Sequence, residues 1–278
     1  VSARLREIAQ STEKIVATGE YVAPDGRTVS VADAVARARA GTRLYGPQPV
    51  PVPAAPGAGA PFVEVTGESS LDAARRMTGE RAERIAVLNF ASARNPGGGY
   101  LNGAQAQEEA VCRSSALYTC LVEVPEFYDR HRADRDVFYS DRVIHAPGVP
   151  VFRDDRGRLL DEPYQVGFLT SPAPNAGVIA HRTPERVHEI PAALASRAER
   201  VLETAAAEGY RRLVLGAWGC GVFRNDPEQV AQAFRTALDG RFRNHFEQVV
   251  FAVLDRTKGA TTRSAFERVL DTASQRQP

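Results

Sequence analysis

Apolar positions in residues 2–18 recur at helical spacing. Leu5, Ile8, Ala9, Thr12, Ile15 and Val16 share one face, which predicts an amphipathic helix. Tyr21-Val22, Pro24-Asp25-Gly26 and Thr28-Val29 then read as a small hairpin, and a short helix is expected over about 31–40. The proline-rich run from Gly46 to Gly57 reads as a connector, with a ligand for an SH3-like partner as the alternative. The chain is therefore divided near residue 60, into an N-terminal helical extension with its linker (1–60) and a main domain (61–278).

From residue 61 strand and helix patterns alternate. Phe62–Thr66 is a strand candidate, and Ser69 or Ser70 can cap a helix to about Thr78. Ile85–Phe90 has the continuous apolar character of a buried strand. Gln107–Val122 reads as one helix, and 136–170 holds strand-like pieces including Arg142–His145 and Gln165–Thr170. Residues 172–185 read as a loop. Ile190, Leu194, Ala198, Val201, Leu202 and Ala205 mark a long helix, and Arg212–Ala217 is another buried strand. Asp226-Pro227-Glu228 opens a helix with an N-cap and a proline at its first position. Glu247–Leu254 is the last strand, and Phe266, Val269, Leu270 and Ala273 line a final helix. The alternation predicts a three-layer α/β domain with an N-terminal helical extension.

Composition narrows the function without choosing it. Thirty-five basic against 34 acidic residues leave a net charge of +1, so no overall field draws the chain to DNA or to an anionic membrane. All but two basic residues, Lys14 and Lys258, are arginine, so a lone surface arginine says little about function. The apolar stretch Leu213–Phe223 falls short of the ~20 residues of a membrane span. Arg4, Arg6 and Glu7 break any signal-like start. Three cysteines without C-x-x-C spacing argue against a disulfide framework or a zinc ribbon. His131, His145, His181, His188 and His245 lack metal-ligand spacing. A monomeric cytoplasmic protein without metal or cofactor is expected.

Two glycine-rich loops follow buried strands: Asn95-Pro-Gly-Gly-Gly99 and Gly216-Ala-Trp-Gly-Cys-Gly-Val-Phe223. Ligands of α/β sheets sit beyond the carboxyl ends of strands, where glycine backbones approach anionic oxygens closely. Either loop alone is also what a tight turn looks like. The second fits neither a Walker loop nor a dinucleotide fingerprint. Glu108 and Glu109 open the helix after the first loop, where the helix dipole commonly favours acids. Adjacent helical residues point about 100° apart, so this pair cannot flank a sugar as the usual glycosidase carboxyls do at roughly 5–9 Å. If both act, they divide the labour.

The triple glycine, seven residues and then Gln107-Glu108-Glu109 resemble the signature of poly(ADP-ribose) glycohydrolases. Leu88–Gly99 and Ala146–Arg153 resemble the short bacterial-type branch of that family, over about residues 60–256. The resemblance implies a macrodomain-like α/β/α sandwich with a mixed central sheet. It implies Glu109 as catalytic acid and Glu108 as the group that holds the riboses at the scissile bond. Its expected substrate-binding set is Asn89, Asn95, Gly97, Gly98, Gly99, Gln107, Gly219, Cys220, Gly221, Val222 and Phe223. Gly219–Phe223 would hold the pyrophosphate, with Phe223 against a ribose. Asn89 stands where the larger animal-type enzymes carry an acid, and Ser92 stands where an Asn is expected. Trp218 is expected to prop its loop. A helix N-terminus favours the carboxylate, so Glu108 and the substrate's pyrophosphate are expected to raise the pKa of Glu109.

The implied activity is hydrolysis of ribose–ribose O-glycosidic bonds in poly(ADP-ribose), releasing ADP-ribose from the end of the polymer. Poly(ADP-ribose), ADP-ribose and ADP-ribosylated proteins are the implied partners. The alternatives are hydrolysis of single ADP-ribosyl groups, a non-catalytic ADP-ribose-binding module, and an interaction scaffold acting through the proline-rich stretch.

Overall fold

The structure, a computed structural model, describes residues 2–57 and 59–270. Its centre is a seven-stranded mixed sheet. The chain runs α1 (Ala3–Thr18), β1 (Glu20–Val22), β2 (Thr28–Ser30), α2 (Ala32–Gly41), β3 (Arg43–Tyr45), β4 (Phe62–Thr66), α3 (Ser70–Glu80), β5 (Ile85–Phe90) and α4 (Gln107–Ser114). It continues with α5 (Leu117–Leu121), α6 (Pro125–Ala133), β6 (Val143–Arg153), β7 (Leu159–Ser171), α7 (Ala176–Arg182), α8 (Ile190–Ala207), β8 (Arg212–Gly216), α9 (Pro227–Asp239), β9 (Gln248–Ala252) and α10 (Thr261–Leu270). The strand order is β3-β6-β7-β5-β8-β9-β4. Strands β7, β5, β8, β9 and β4 are parallel, whereas β6 runs antiparallel to both β3 and β7.

Strand periodicity of two builds the three layers. Ile85 and Val87 of β5 and Val214 of β8 enter one core, with α1 to α6. Ala86 and Leu88 of β5 and Leu213 and Leu215 of β8 enter the other, with α7 to α10. No described helix is long and apolar enough to cross a membrane.

The elements depart from the sequence reading where tertiary contacts outweigh local pattern. The helix expected over 107–122 breaks at Ser115, whose extended backbone (φ −145°, ψ 177°) bridges Val151 of β6. The Ala116 N–H then donates to the Pro150 carbonyl at 3.1 Å. Strands β6 and β7 are longer than the pieces read, because a register shift between Ala146 and Val149 carries Pro147 past the hydrogen-bond ladder. Helix α6 was not read, and α7 lies inside the expected loop 172–185. The final helix holds Phe266 and Leu270 buried, whereas Ala273 lies outside the described residues.

The first 60 residues are woven into the sheet. Strand β3 is one edge of it, pairing with β6, and β4 is the opposite edge. The proline-rich stretch therefore carries the chain across the whole sheet. It is held on the way by Glu203, which accepts the Val50 N–H at 2.9 Å and pairs with Arg200 and Arg241. Crossing six strand spacings of about 4.8 Å needs extended chain, which proline supplies at low entropic cost.

Helix α1 packs behind α4. The fully buried Thr12 hydroxyl donates to the Arg113 carbonyl at 2.7 Å and accepts from the buried Arg153 Nε at 3.0 Å. Thr12→Val keeps the shape but strips a buried guanidinium of one acceptor. The expected loss is about 1–3 kcal/mol of stability, read by urea unfolding; an unchanged midpoint would show that α1 does not depend on this bond.

Candidate active site

Strands β5 and β8 pair in parallel, so the loops that leave them open at the same end of the sheet. The loop after β5 runs through the triple glycine into α4. No side chain caps that helix from outside. Gln107 takes over: its Oε1 accepts the Phe90 N–H at 2.9 Å, and its Nε2 donates to the Leu88 carbonyl at 2.8 Å and to Ser70 Oγ at 3.1 Å. Gln107, expected among the substrate contacts, uses its amide to tie the start of α4 to β5 and α3.

Glu108 and Glu109 are both buried, with relative exposures of 3% and 9%. Their surroundings differ. Both oxygens of Glu108 are engaged: Oε1 accepts from Asn89 Nδ2 at 3.1 Å and Oε2 accepts the Ser92 N–H at 2.7 Å. Glu109 Oε1 accepts the Gly99 N–H at 2.9 Å. Its second oxygen has no hydrogen-bond partner among the described residues. Burial pushes the Glu108 carboxyl up to about 8, against the Ser92 and Asn89 donors that pull it down, with the charge of Glu109 adding to the rise. The dipole of α4 favours carboxylates, but for Glu108 burial outweighs it.

Backbone geometry sets the contact between loop and acids. Gly98 is left-handed (φ +58°), and a Cβ there would stand 2.5 Å from Glu109 Oε1 and 3.3 Å from Glu108 Oε2. Only glycine brings the chain that close. Asn95 is exposed; its carbonyl accepts the Gly98 N–H at 2.9 Å, and its N–H donates to Ser92 Oγ at 3.2 Å. Ser92 thus shapes the turn with its hydroxyl and holds Glu108 with its backbone. Asn89 has no exposed surface and binds Thr170 Oγ1 at 3.1 Å besides Glu108, so in this structure it lies beneath the acid.

The loop is backed by α1. Buried Tyr100, next to Gly99, donates from its hydroxyl toward Glu13 Oε1 at 2.9 Å and the Ala9 carbonyl at 3.2 Å. Arg113 Nη1 donates to the Ala104 carbonyl at 2.6 Å. The two Tyr100 contacts were not legible in the sequence, because they join residues about 90 positions apart.

The second loop is an open cradle. Gly219 is left-handed (φ +69°), and a Cβ there would meet Ala173 Cβ at 2.4 Å and Asn225 Nδ2 at 2.6 Å. Asn225 ties the loop shut through the Pro174 and Gly219 carbonyls at 2.7 and 3.0 Å. Trp218 is fully buried and donates from Nε1 to the Ser171 carbonyl at 2.9 Å, the prop expected of it. The N–H groups of Gly219, Gly221, Val222 and Phe223 have no acceptor among the described residues and are free to donate to a ligand. The Cys220 N–H is already given to the Ala217 carbonyl at 3.1 Å, and burial pushes its thiol up to about 12. Val222 projects into solvent, 82% exposed, and Phe223 is half-buried. Among the described residues no three His, Cys, Asp or Glu side chains gather as a metal site.

Comparison with known proteins gives a consistent picture. The family described as "Microbial-type PARG, catalytic domain" matches residues 9–154 and so begins inside α1, well before residue 60. The poly(ADP-ribose) glycohydrolase of Thermomonospora curvata superposes with a TM-score of 0.92 at 51% identity, over 97% of this chain and 100% of that one. The same enzyme bound to the inhibitor ADP-HPD gives 0.88 at 51% identity, over 96% and 99%. The poly(ADP-ribose) glycohydrolase of Deinococcus radiodurans in complex with ADP-ribose gives 0.80 at 44% identity, over 88% and 99%. Among curated proteins no relative matches the chain.

Two outcomes are expected of this geometry. Gly98→Ala places a methyl group against Glu109 on a backbone that disfavours it; turnover should fall ~10²-fold or more, the scale of a misplaced reacting group, with the far-ultraviolet spectrum unchanged. Wild-type turnover would mean that the loop need not touch the acids. The second concerns pH. Above about 4.5 an unfolded glutamate ionises, while folded Glu108 stays protonated up to about 8. Its contribution is therefore full below 4.5 and lost as pH rises through 8. Between pH 4.5 and 8 the thermal midpoint of Glu108→Gln should fall less than that of the wild type, and parallel curves would refute the raised pKa.

Proposed function

The chain belongs to the microbial-type poly(ADP-ribose) glycohydrolase family, and on that premise we propose that Glu109 is the acid and base of an end-acting cleavage. The protein is a glycosidase that hydrolyses the ribose–ribose O-glycosidic bonds of poly(ADP-ribose) and binds ADP-ribose. The observation that carries the assignment within the site is the unequal pair: Glu109 has one oxygen fixed by Gly99 and one without a protein partner, while both oxygens of Glu108 are engaged.

Protonated Glu109 gives its proton to the departing 2′ oxygen as the bond to the 1″ carbon breaks and positive charge develops on that ribose. The resulting carboxylate then takes a proton from the water that attacks the 1″ carbon. Glu108, held protonated by burial at neutral pH, adds no second negative charge once Glu109 has given up its proton, and its remaining lone pairs and proton are free for ribose hydroxyls. The four N–H groups of the second loop receive the pyrophosphate, and the Phe223 ring packs against the adjoining ribose. ADP-ribosylated proteins are the acceptors we assign, with the chain acting as a monomer. The three free thiols support a reducing, cytoplasmic setting.

Incubation with poly(ADP-ribose) and chromatography of the products tests the reading: ADP-ribose should appear from the first turnovers, and early accumulation of oligomers would overturn the end-acting mode. Glu109→Gln should bind ADP-ribose within a few-fold of wild type and lose turnover by ~10²–10⁴-fold. Glu108→Gln should lose both affinity and rate. If Glu109→Gln cleaves well while Glu108→Gln binds normally and is inert, the two roles are reversed.

A further inference from the structure

Among the described residues three that are not glycine have left-handed backbones: Tyr139 (φ 60°), Arg224 (φ 57°) and Ala260 (φ 43°). Two of them meet at the second loop. Arg224 directly follows Phe223, and the ring of Tyr139 lies against the ring of Phe223, with centroids 5.9 Å apart. Tyrosine occupies this backbone region only where its surroundings over-determine it.

Around Tyr139 they do. The segment between α6 and β6 turns on Asp136, whose side chain accepts the Phe138 N–H at 2.9 Å and whose carbonyl accepts the Tyr139 N–H at 3.2 Å. Arg186 pairs with Asp136 and lies over the Phe138 ring at 4.4 Å. Two residues past Tyr139, Asp141 is paired with buried Arg197 at 3.1 Å and accepts the Ser196 hydroxyl at 2.6 Å. Ser140 meets His131 Nε2 at 2.6 Å. The segment is thus anchored by α6 on one side and by α8 and its approach on the other, and it presents one aromatic ring outward.

That ring touches side chains from both ligand loops. The Arg94 guanidinium lies 5.8 Å from its centroid. Arg94 belongs to the first loop, two residues beyond the Ser92 N–H that holds Glu108. Phe223 belongs to the second. The Tyr139 hydroxyl has no hydrogen-bond partner among the described residues, so the ring face is what makes these contacts.

We propose that Tyr139 is a positioning residue that braces Phe223 against the first loop and fixes the distance between the acid-bearing loop and the pyrophosphate-binding loop. This rests on the reading that Phe223 packs on the bound nucleotide. Tyr139 acts through Phe223 and needs no contact with substrate.

The experiment is titration calorimetry with ADP-ribose, together with thermal unfolding and steady-state kinetics, on the full chain carrying Tyr139→Phe, Tyr139→Gly, Phe223→Ala or the last two combined. Tyr139→Gly keeps the left-handed backbone without strain and removes the ring; affinity should fall about 3- to 10-fold, the scale of one aromatic pair, with KM rising more than kcat falls and the midpoint held. Tyr139→Phe should bind within two-fold of wild type, by the same reasoning about the ring. The double variant should bind no more weakly than Phe223→Ala alone. Wild-type affinity in Tyr139→Gly beside a weakened Phe223→Ala overturns the inference and spares the reading of Phe223. So do fully additive losses, a Tyr139→Phe as weak as the glycine variant, or a midpoint that collapses in Tyr139→Gly. Wild-type affinity in Phe223→Ala removes the reading itself, and the inference with it.

Discussion

Two neighbouring carboxyl groups are buried in the first turn of α4, and most of the local architecture answers to that constraint. A buried carboxylate is unfavourable unless hydrogen-bonded, and two side by side repel. The protein resolves this unequally. Glu108 retains its proton and is gripped at both oxygens by Asn89 and the Ser92 N–H. Glu109 receives a single backbone donor, from Gly99. The two backbone donors, from Ser92 and Gly99, come from the loop after β5, so that loop must press its backbone on the acids, and that is why Gly98 lacks room for a side chain.

A loop so placed needs backing, and this gives residues before 60 their role. Helix α1 receives the Tyr100 hydroxyl and supplies Thr12 to the end of α4, so it braces both the donor and the acid that it holds. The proline-rich stretch then returns the chain across the sheet to β4. A segment that looks like an appendage in sequence thus supplies a sheet edge, a support for the site and the crossing between them.

The opposite loop works by restraint of a different kind. Asn225 and the buried Trp218 close it from behind, and the remaining N–H groups point where no protein acceptor is found among the described residues. Its free N–H groups supply a field of oriented peptide dipoles.

Elements with a strong local signature were legible from the residues alone. Strand β4 begins and ends where its alternation does, Asp226 and Pro227 open α9, and Ser69 caps α3, because each depends on propensity and hydrogen bonds within a few positions. The glycine loops and the paired acids were legible for the same reason: glycine spacing and an acid pair are written directly in the order of residues. Contacts across the chain were not. Ser115 breaks a helix that its neighbours favour because β6 offers it a partner, and Gln107 ties α4 to β5 because β5 leaves backbone groups within its reach. Tyr139 carries no sign of its left-handed backbone, which arises from anchors on α6 and α8. The sequence by itself determined which residues hold protons and which let the backbone approach. Only the tertiary structure decided that the Glu108 carboxyl is pushed up to about 8, since burial is a property of everything packed around it.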